Sequence, residues 1–143
     1  MPLVTVTLRQ GKSGEFKQAV LGAVHAALVA SGVPEKDRFH RVLELSPDDF
    51  RYDADYPDVS RPRTGDFVLI EILLSVGRSV KVKKKIVADI VAATRKAPGL
   101  DPDDVMIVFK ETQWENWAFA GGRLMHTRRA PLSDASSCAP CYR

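Results

Sequence analysis

The chain has 143 residues, 45% hydrophobic and 27% charged, with a formal net charge of +3. This is one domain's length with enough apolar content for a core, and no apolar run approaches the roughly 18 to 20 residues that carry a helix across a bilayer. Membrane-spanning helices are therefore excluded, a cytoplasmic address is the expectation, and Cys138 and Cys141, close to the chain end, do not make the disulfide framework of a secreted fold.

The alternation Leu3-Val4-Thr5-Val6-Thr7-Leu8 predicts a strand directly behind Met1-Pro2. A proline there is compatible with an ordinary strand start, because it withholds no donor that the sheet needs. It is also compatible with chemistry, since removal of Met1 leaves a secondary amine at a strand end. Gly11-Lys12-Ser13 then reads as a turn with Ser13 as helix N-cap. Phe16, Val20, Val24 and Leu28, four apart and flanked by Leu21 and Ala27, predict a one-faced helix that stops before Gly32. "GVPEKDRFH" leads into a second strand with Asp37 at its start. A carboxylate there can support a proline ammonium, position water as a general base, or cap the turn by accepting backbone N–H groups.

Residues 46–66 are polar and punctuated by proline. Such a connection is a lid or interface arm anchored by Phe50, Tyr52 and Tyr56, or a mobile surface excursion. "FVLIEILL" at 67–74 is apolar on both faces except for Glu71, the pattern of a central strand covered on both sides. Gly77-Arg78-Ser79 opens a second helix striped by Val82, Ile86, Ile90 and Val91, with Val87 at its flank, and Gly99 and "GLDPDDV" turn the chain into a last strand. Beyond it, Trp114, Trp117 and Phe119 require an apolar home. Residues 131–143 have little apolar content and are expected to be a flexible tail.

The chain says the same thing twice. Gly11-Lys12-Ser13 returns as Gly77-Arg78-Ser79 at an offset of 66, and Gly32 returns as Gly99 at 67. Two βαβ units, about 2–45 and 66–110, are thus expected within one domain spanning 1–130. The fold class is α/β: a four-stranded mixed sheet with both helices on one face, because duplicated right-handed crossovers fall on the same side. The other face then needs cover, and another subunit is the expected source.

A Pro2 amine in an apolar, cation-lined pocket would have its pKa lowered toward neutrality, where it can remove a carbon-bound proton and give one back. Arg78 has the fork geometry for a carboxylate or a developing oxyanion, or it pairs with Glu71 or Asp66. Lys12 is a weaker carboxylate grip or a solvated turn residue. Lys81, Lys83, Lys84 and Lys85 read as a solvated helix face, since no nucleic-acid-binding motif accompanies them. His25, His40 and His126 lack metal-ligand spacing, so no metal is expected. "CAPC" stands in a tail rather than at a helix start, and "GKS" lacks the upstream glycines of a phosphate loop.

Taken in order over residues 2–122, "MPLVTVTLRQGKS", "SGVPEKDRF", "LLSVGRS", "GLDPDDVMI" and "ENWAFAGG" resemble the tautomerase superfamily, whose members use an amino-terminal proline. Within it they are most similar to the longer-chain branch that includes malonate semialdehyde decarboxylase. The resemblance implies cleavage of Met1, a homotrimer, and a small carboxylate-bearing substrate. It makes Pro2 the catalytic amine, Arg78 the binder of substrate carboxylate or carbonyl, and Asp37 a water-positioning or proline-supporting acid. Lys12 falls where many relatives have arginine, Trp117 and Phe119 would line the pocket, and neither metal nor organic cofactor is needed. One departure stands out: the decarboxylase has Arg-Pro-Arg where this chain reads Val76-Gly77-Arg78. The leading expectation is therefore a cofactor-independent tautomerase of a small 2-keto or enol acid. Its alternatives are a hydratase, dehalogenase or decarboxylase using Pro2 and an Asp37-activated water, and a non-enzymatic oligomeric scaffold or small-ligand binder.

Overall fold

Both helices begin at the serines that the sequence marks as caps. The structure, a computed structural model, describes residues 2–125; Met1, His126, Cys138, Cys141 and the expected tail at 131–143 lie outside the described residues. Ser13 accepts from the Phe16 N–H and starts α1 (Gly14–Ala30), and Ser79 accepts from the Val82 N–H and starts α2 (Val80–Lys96). The strands are β1 (Pro2–Arg9), β2 (Phe39–Leu45), β3 (Val68–Ser75) and β4 (Val105–Thr112). Gly11 and Gly77 have φ of 99° and 117°, a left-handed conformation that a side chain would strain, and each turns a strand end toward a helix start.

The sheet order is β2-β1-β3-β4, with β1 parallel to β2, β3 parallel to β4, and the two halves joined antiparallel through β1 and β3. Val4, Val6 and Leu8 of β1 and Val68, Ile70, Ile72 and Leu74 of β3 form one face. Val20, Val24 and Leu28 of α1 and Ile86 and Ile90 of α2 are fully buried with them, each worth about 1.5–3 kcal/mol of transfer free energy. The expected four-stranded mixed sheet with two helices is the fold observed.

On the opposite face the registers Leu3↔Phe39 in one half and Leu69↔Met106 in the other line up apolar side chains, and Leu43 stands opposite Thr7. Phe39, Leu43 and Met106 there are 47%, 42% and 46% exposed. A Glu71–Lys110 ion pair and an Arg41 Nε–H bond to Thr5 Oγ1 of 2.8 Å supply the polar content.

The connection between the halves is anchored. Phe50 and Tyr52 pack on Phe67 with ring centroids 5.7 and 4.3 Å away, and the Tyr52 hydroxyl donates to the Thr64 carbonyl at 2.5 Å. Tyr56, expected to be a third anchor, is 73% exposed. The far end is clasped by Asp104, 2% exposed, which accepts from Thr64 N–H at 2.6 Å and Thr64 Oγ1–H at 2.7 Å.

By contact the chain divides into residues 1–112, containing the sheet and both helices, and residues 113–143. Within the second unit, Trp114–Asn116 is one short 3-10 turn and an isolated bridge joins Ala118 to Leu124. Among the described residues no helix is long and apolar enough to cross a membrane.

Candidate active site

Strand direction decides which candidate residues meet. Pro2 is buried at the start of β1 and pairs with Leu74, next to the last residue of β3. Leu3 pairs with Phe39, the first residue of β2, so Arg38 and Asp37, immediately ahead of it, lie at the same end of the sheet as Pro2. β3 ends at Ser75, and the Val76 N–H donates to the Thr112 carbonyl at 2.9 Å before the turn reaches Arg78. One edge of the sheet thus gathers Pro2, Asp37 and Arg78. Asp37 is 7% exposed and Arg78 is half-buried.

The expected alternative partners of Arg78 are already engaged: Glu71 with Lys110 and Asp66 with Lys12. Among the described residues Arg78 has no ion-pair partner, so its guanidinium is available for a ligand's oxygen.

Lys12 is not at this edge. The two glycine-basic-serine turns are equivalent in sequence, but β1 and β3 run antiparallel, so equivalent turns emerge at opposite ends of the sheet. Lys12 pairs there with Asp66, and its ammonium lies 5.4 Å from the Phe16 ring centroid. Within one chain it does not join Pro2. Trp117 and Phe119 belong to the 113–143 unit, where their rings stack 5.4 Å apart at an interplanar angle of 8°.

The duplication sharpens the reading of Asp37. β1 maps onto β3 at an offset of 66 and β2 onto β4 at 67, because the strand registers differ by one between the halves. Asp37 is then the counterpart of Asp104. Asp104 holds Thr64. The twin's role is structural.

Sequence reasoning missed His25. It reads as an ordinary helix residue, yet it is 8% exposed, and its Nε2 lies 3.0 Å from the Glu35 carbonyl oxygen. Its ring centroid is 5.3 Å from that of His40 on β2. With Gln18, Leu21, Gly22 and Arg38 the two rings line a cavity of about 120 Å³ along the seam between α1 and β2. In the second half the same positions are Val91 and Ile107, and that seam is a wider groove lined by Val80, Val87, Val91 and Phe109. Comparison of the two halves is the signal that exposes the histidines: their twins are aliphatic, so the fold does not need imidazoles there.

Burial first, then the neighbouring His25 and Arg38, holds the His40 imidazole below its usual range. The folded state thus disfavours His40 protonation, and the unfolded chain binds the extra proton. This contribution to stability is complete above the unfolded value of ~6.5 and is lost as pH falls toward the lower folded value. Urea midpoints measured from pH 7.5 to 5 should fall more steeply for the wild type than for His40→Ile. Parallel curves would contradict this assignment.

Among the described residues, no group of three or more His, Cys, Asp or Glu side chains is placed to hold a metal ion.

Comparison with known proteins identifies the family and the fold. The profile of a family described as "Tautomerase enzyme" matches residues 37–120. The chain is 30% identical over 124 residues to the probable tautomerase YusQ of Bacillus subtilis (strain 168), covering 86% of this chain and 96% of that protein. Among solved structures it is similar to the FG41 malonate semialdehyde decarboxylase inhibited by 3-bromopropiolate, with 26% identity and a TM-score of 0.81 over 92% of this chain and 99% of that one. It is also similar to a malonate semialdehyde decarboxylase described in wild-type, mutant and inactivated forms as a basis for decarboxylase and hydratase activities. There the identity is 27% and the TM-score 0.77, over 85% of this chain and 92% of that one. A fused 4-OT symmetric trimer, 23% identical with a TM-score of 0.69 over 90% and 99% of the two chains, shares the fold.

Proposed function

The chain belongs to the tautomerase family, and from that premise we propose that it is a hydratase or decarboxylase of a small unsaturated or β-keto acid, working through Pro2 freed of Met1 and through water held by Asp37. The observation that carries this reading is the placement of a buried aspartate, twin of the structural Asp104, at the sheet edge where Pro2 and Arg78 also lie. Similarity to two malonate semialdehyde decarboxylases over most of both chains supports it.

In hydration, the Pro2 ammonium delivers a proton to one unsaturated carbon while Asp37 takes a proton from water. The hydroxide so formed bonds the other carbon, and Asp37 returns its proton to Pro2 to complete the cycle. In decarboxylation, the bond to the departing carboxylate breaks as carbon dioxide forms. Its electron pair passes into an enolate whose oxygen is stabilised by Arg78, the Pro2 ammonium protonates the carbon, and the water held by Asp37 relays a solvent proton back to Pro2 to complete the cycle. Neither sequence draws on Lys12 of the same chain.

A second reading, enol–keto conversion of a 2-keto acid by proton transfer at Pro2, is favoured by the name of the 30%-identical relative and by Val76 at the first arginine position of the decarboxylase motif. In either reading we propose a homotrimer, supported by the exposed Phe39, Leu43 and Met106 on the sheet's second face and by the trimeric assembly of the fused 4-OT of the same fold.

The deciding experiment offers the wild type and Asp37→Asn a β-keto acid, a 2,3-unsaturated acid and a phenylpyruvate-like enol. Carbon dioxide release or hydration that falls by about 10²-fold or more in Asp37→Asn is expected. Conversion of the enol alone, unchanged by Asp37→Asn, would replace this reading with the tautomerase one.

A further inference from the structure

We infer that His25 is a positioning residue for the candidate site: its Nε2–H holds the Glu35 carbonyl and so fixes the turn that presents Asp37. The inference rests on the reading of Asp37 as a reacting group and deepens it. A carbonyl oxygen can only accept, so the 3.0 Å contact places the hydrogen on Nε2. The donor comes from the middle of a 17-residue helix that is itself locked into the core by Val20, Val24 and Leu28. The rigid half of the pair is therefore the helix, and the half that is held is the turn.

The turn's own backbone hydrogen bonds are short-range. Its internal hydrogen bonds run from Asp37 N–H to the Pro34 carbonyl at 2.9 Å and from Arg38 N–H to the Lys36 carbonyl at 3.0 Å. In the second half the corresponding turn is built differently. Asp101 caps it by accepting from the Asp103 N–H at 2.8 Å, and Pro102 stands at the position of Glu35. At Asp101's place the first half has Pro34, which carries no acceptor side chain. His25 thus replaces, from the neighbouring helix, a restraint that the other half keeps within the turn. Val91 occupies the equivalent helical position there and has nothing to donate.

A burial cost accompanies this arrangement. The Nδ1 atom of His25 is buried without a hydrogen-bond partner among the described residues, an expense that valine at the same seam would avoid. Retention of imidazole in one half only is what a site-specific task for the Nε2–H predicts. The expected consequence of losing it is a turn displaced by a fraction of an ångström, enough to misalign a general base while leaving substrate binding intact.

The test compares His25→Val, which installs the other half's residue, with His25→Gln, which keeps a donor of similar reach. His25→Val should fold, lower kcat on order of 10- to 10²-fold with KM nearly unchanged, and speed amide exchange at Asp37. His25→Gln should restore most of both. Added to Asp37→Asn, His25→Val should cost little more, because both changes act on one group. Equal losses in the Val and Gln variants, unaltered exchange at Asp37, or a full additional loss in the double variant would each overturn the inference. Full activity of Asp37→Asn by itself would overturn the reading of Asp37, and with it a catalytic purpose for the restraint; the exchange measurement still reports separately whether His25 holds the turn.

Discussion

Activity should scale with the fraction of chains that have lost Met1, and Pro2→Ala should lower kcat by about 10²-fold or more, the usual share of a positioned acid–base group. The ring of Pro2 fixes the rotation about its N–Cα bond, so the lone pair and protons of the amine point in set directions, whereas the terminal nitrogen of alanine rotates freely. Pro2 is buried and in register with Leu74, so the nitrogen's position follows from the sheet rather than from a loop. Retained Met1 converts that amine into an amide nitrogen with neither a proton to give nor a basic lone pair. Intact-mass measurement of preparations with different degrees of processing, paired with initial rates, gives the comparison. A preparation in which every chain keeps Met1 yet turns over at the full rate would remove Pro2 from the mechanism.

Much of the fold was legible because the duplication writes it twice. Ser13 and Ser79 cap the helices that their spacing predicts, and the stripes through Val20, Val24 and Leu28 and through Ile86 and Ile90 are the buried ones. Thr5 and Thr7 alternate with core valines as period two requires. The repeat offset reveals equivalence but not direction. Lys12 and Arg78 match in sequence, and only the antiparallel pairing of β1 with β3 shows that they lie at opposite ends of the sheet. His25 escaped for another reason. Its partner is a backbone carbonyl ten residues on, and a main-chain acceptor leaves no mark in the sequence. For Asp37 the residues alone left cap and catalyst open; Asp104, its twin, shows a structural role at the equivalent position, clasping Thr64.

Arg78→Ala should produce the second large loss, about 10²- to 10³-fold in kcat/KM, the range for removing a donor aimed at developing negative charge. How the loss divides identifies what the guanidinium grips. A carboxylate held equally in ground and transition states would appear in KM, whereas an enolate oxygen that gains charge only during reaction would appear in kcat. Arg78→Lys keeps the charge without the fork, so it should recover a point-charge share and leave the bidentate share missing. Lys12 of the same chain cannot compensate, since it is at the far end of the sheet and paired with Asp66. Val76 supplies no second cation in the turn, which concentrates the electrostatic work on Arg78 and should make its loss steeper than where two arginines share the load. Steady-state kinetics on whichever acid proves to be turned over measures the split, and an Arg78→Ala enzyme within about threefold of wild type in kcat/KM would show that the oxyanion is stabilised elsewhere.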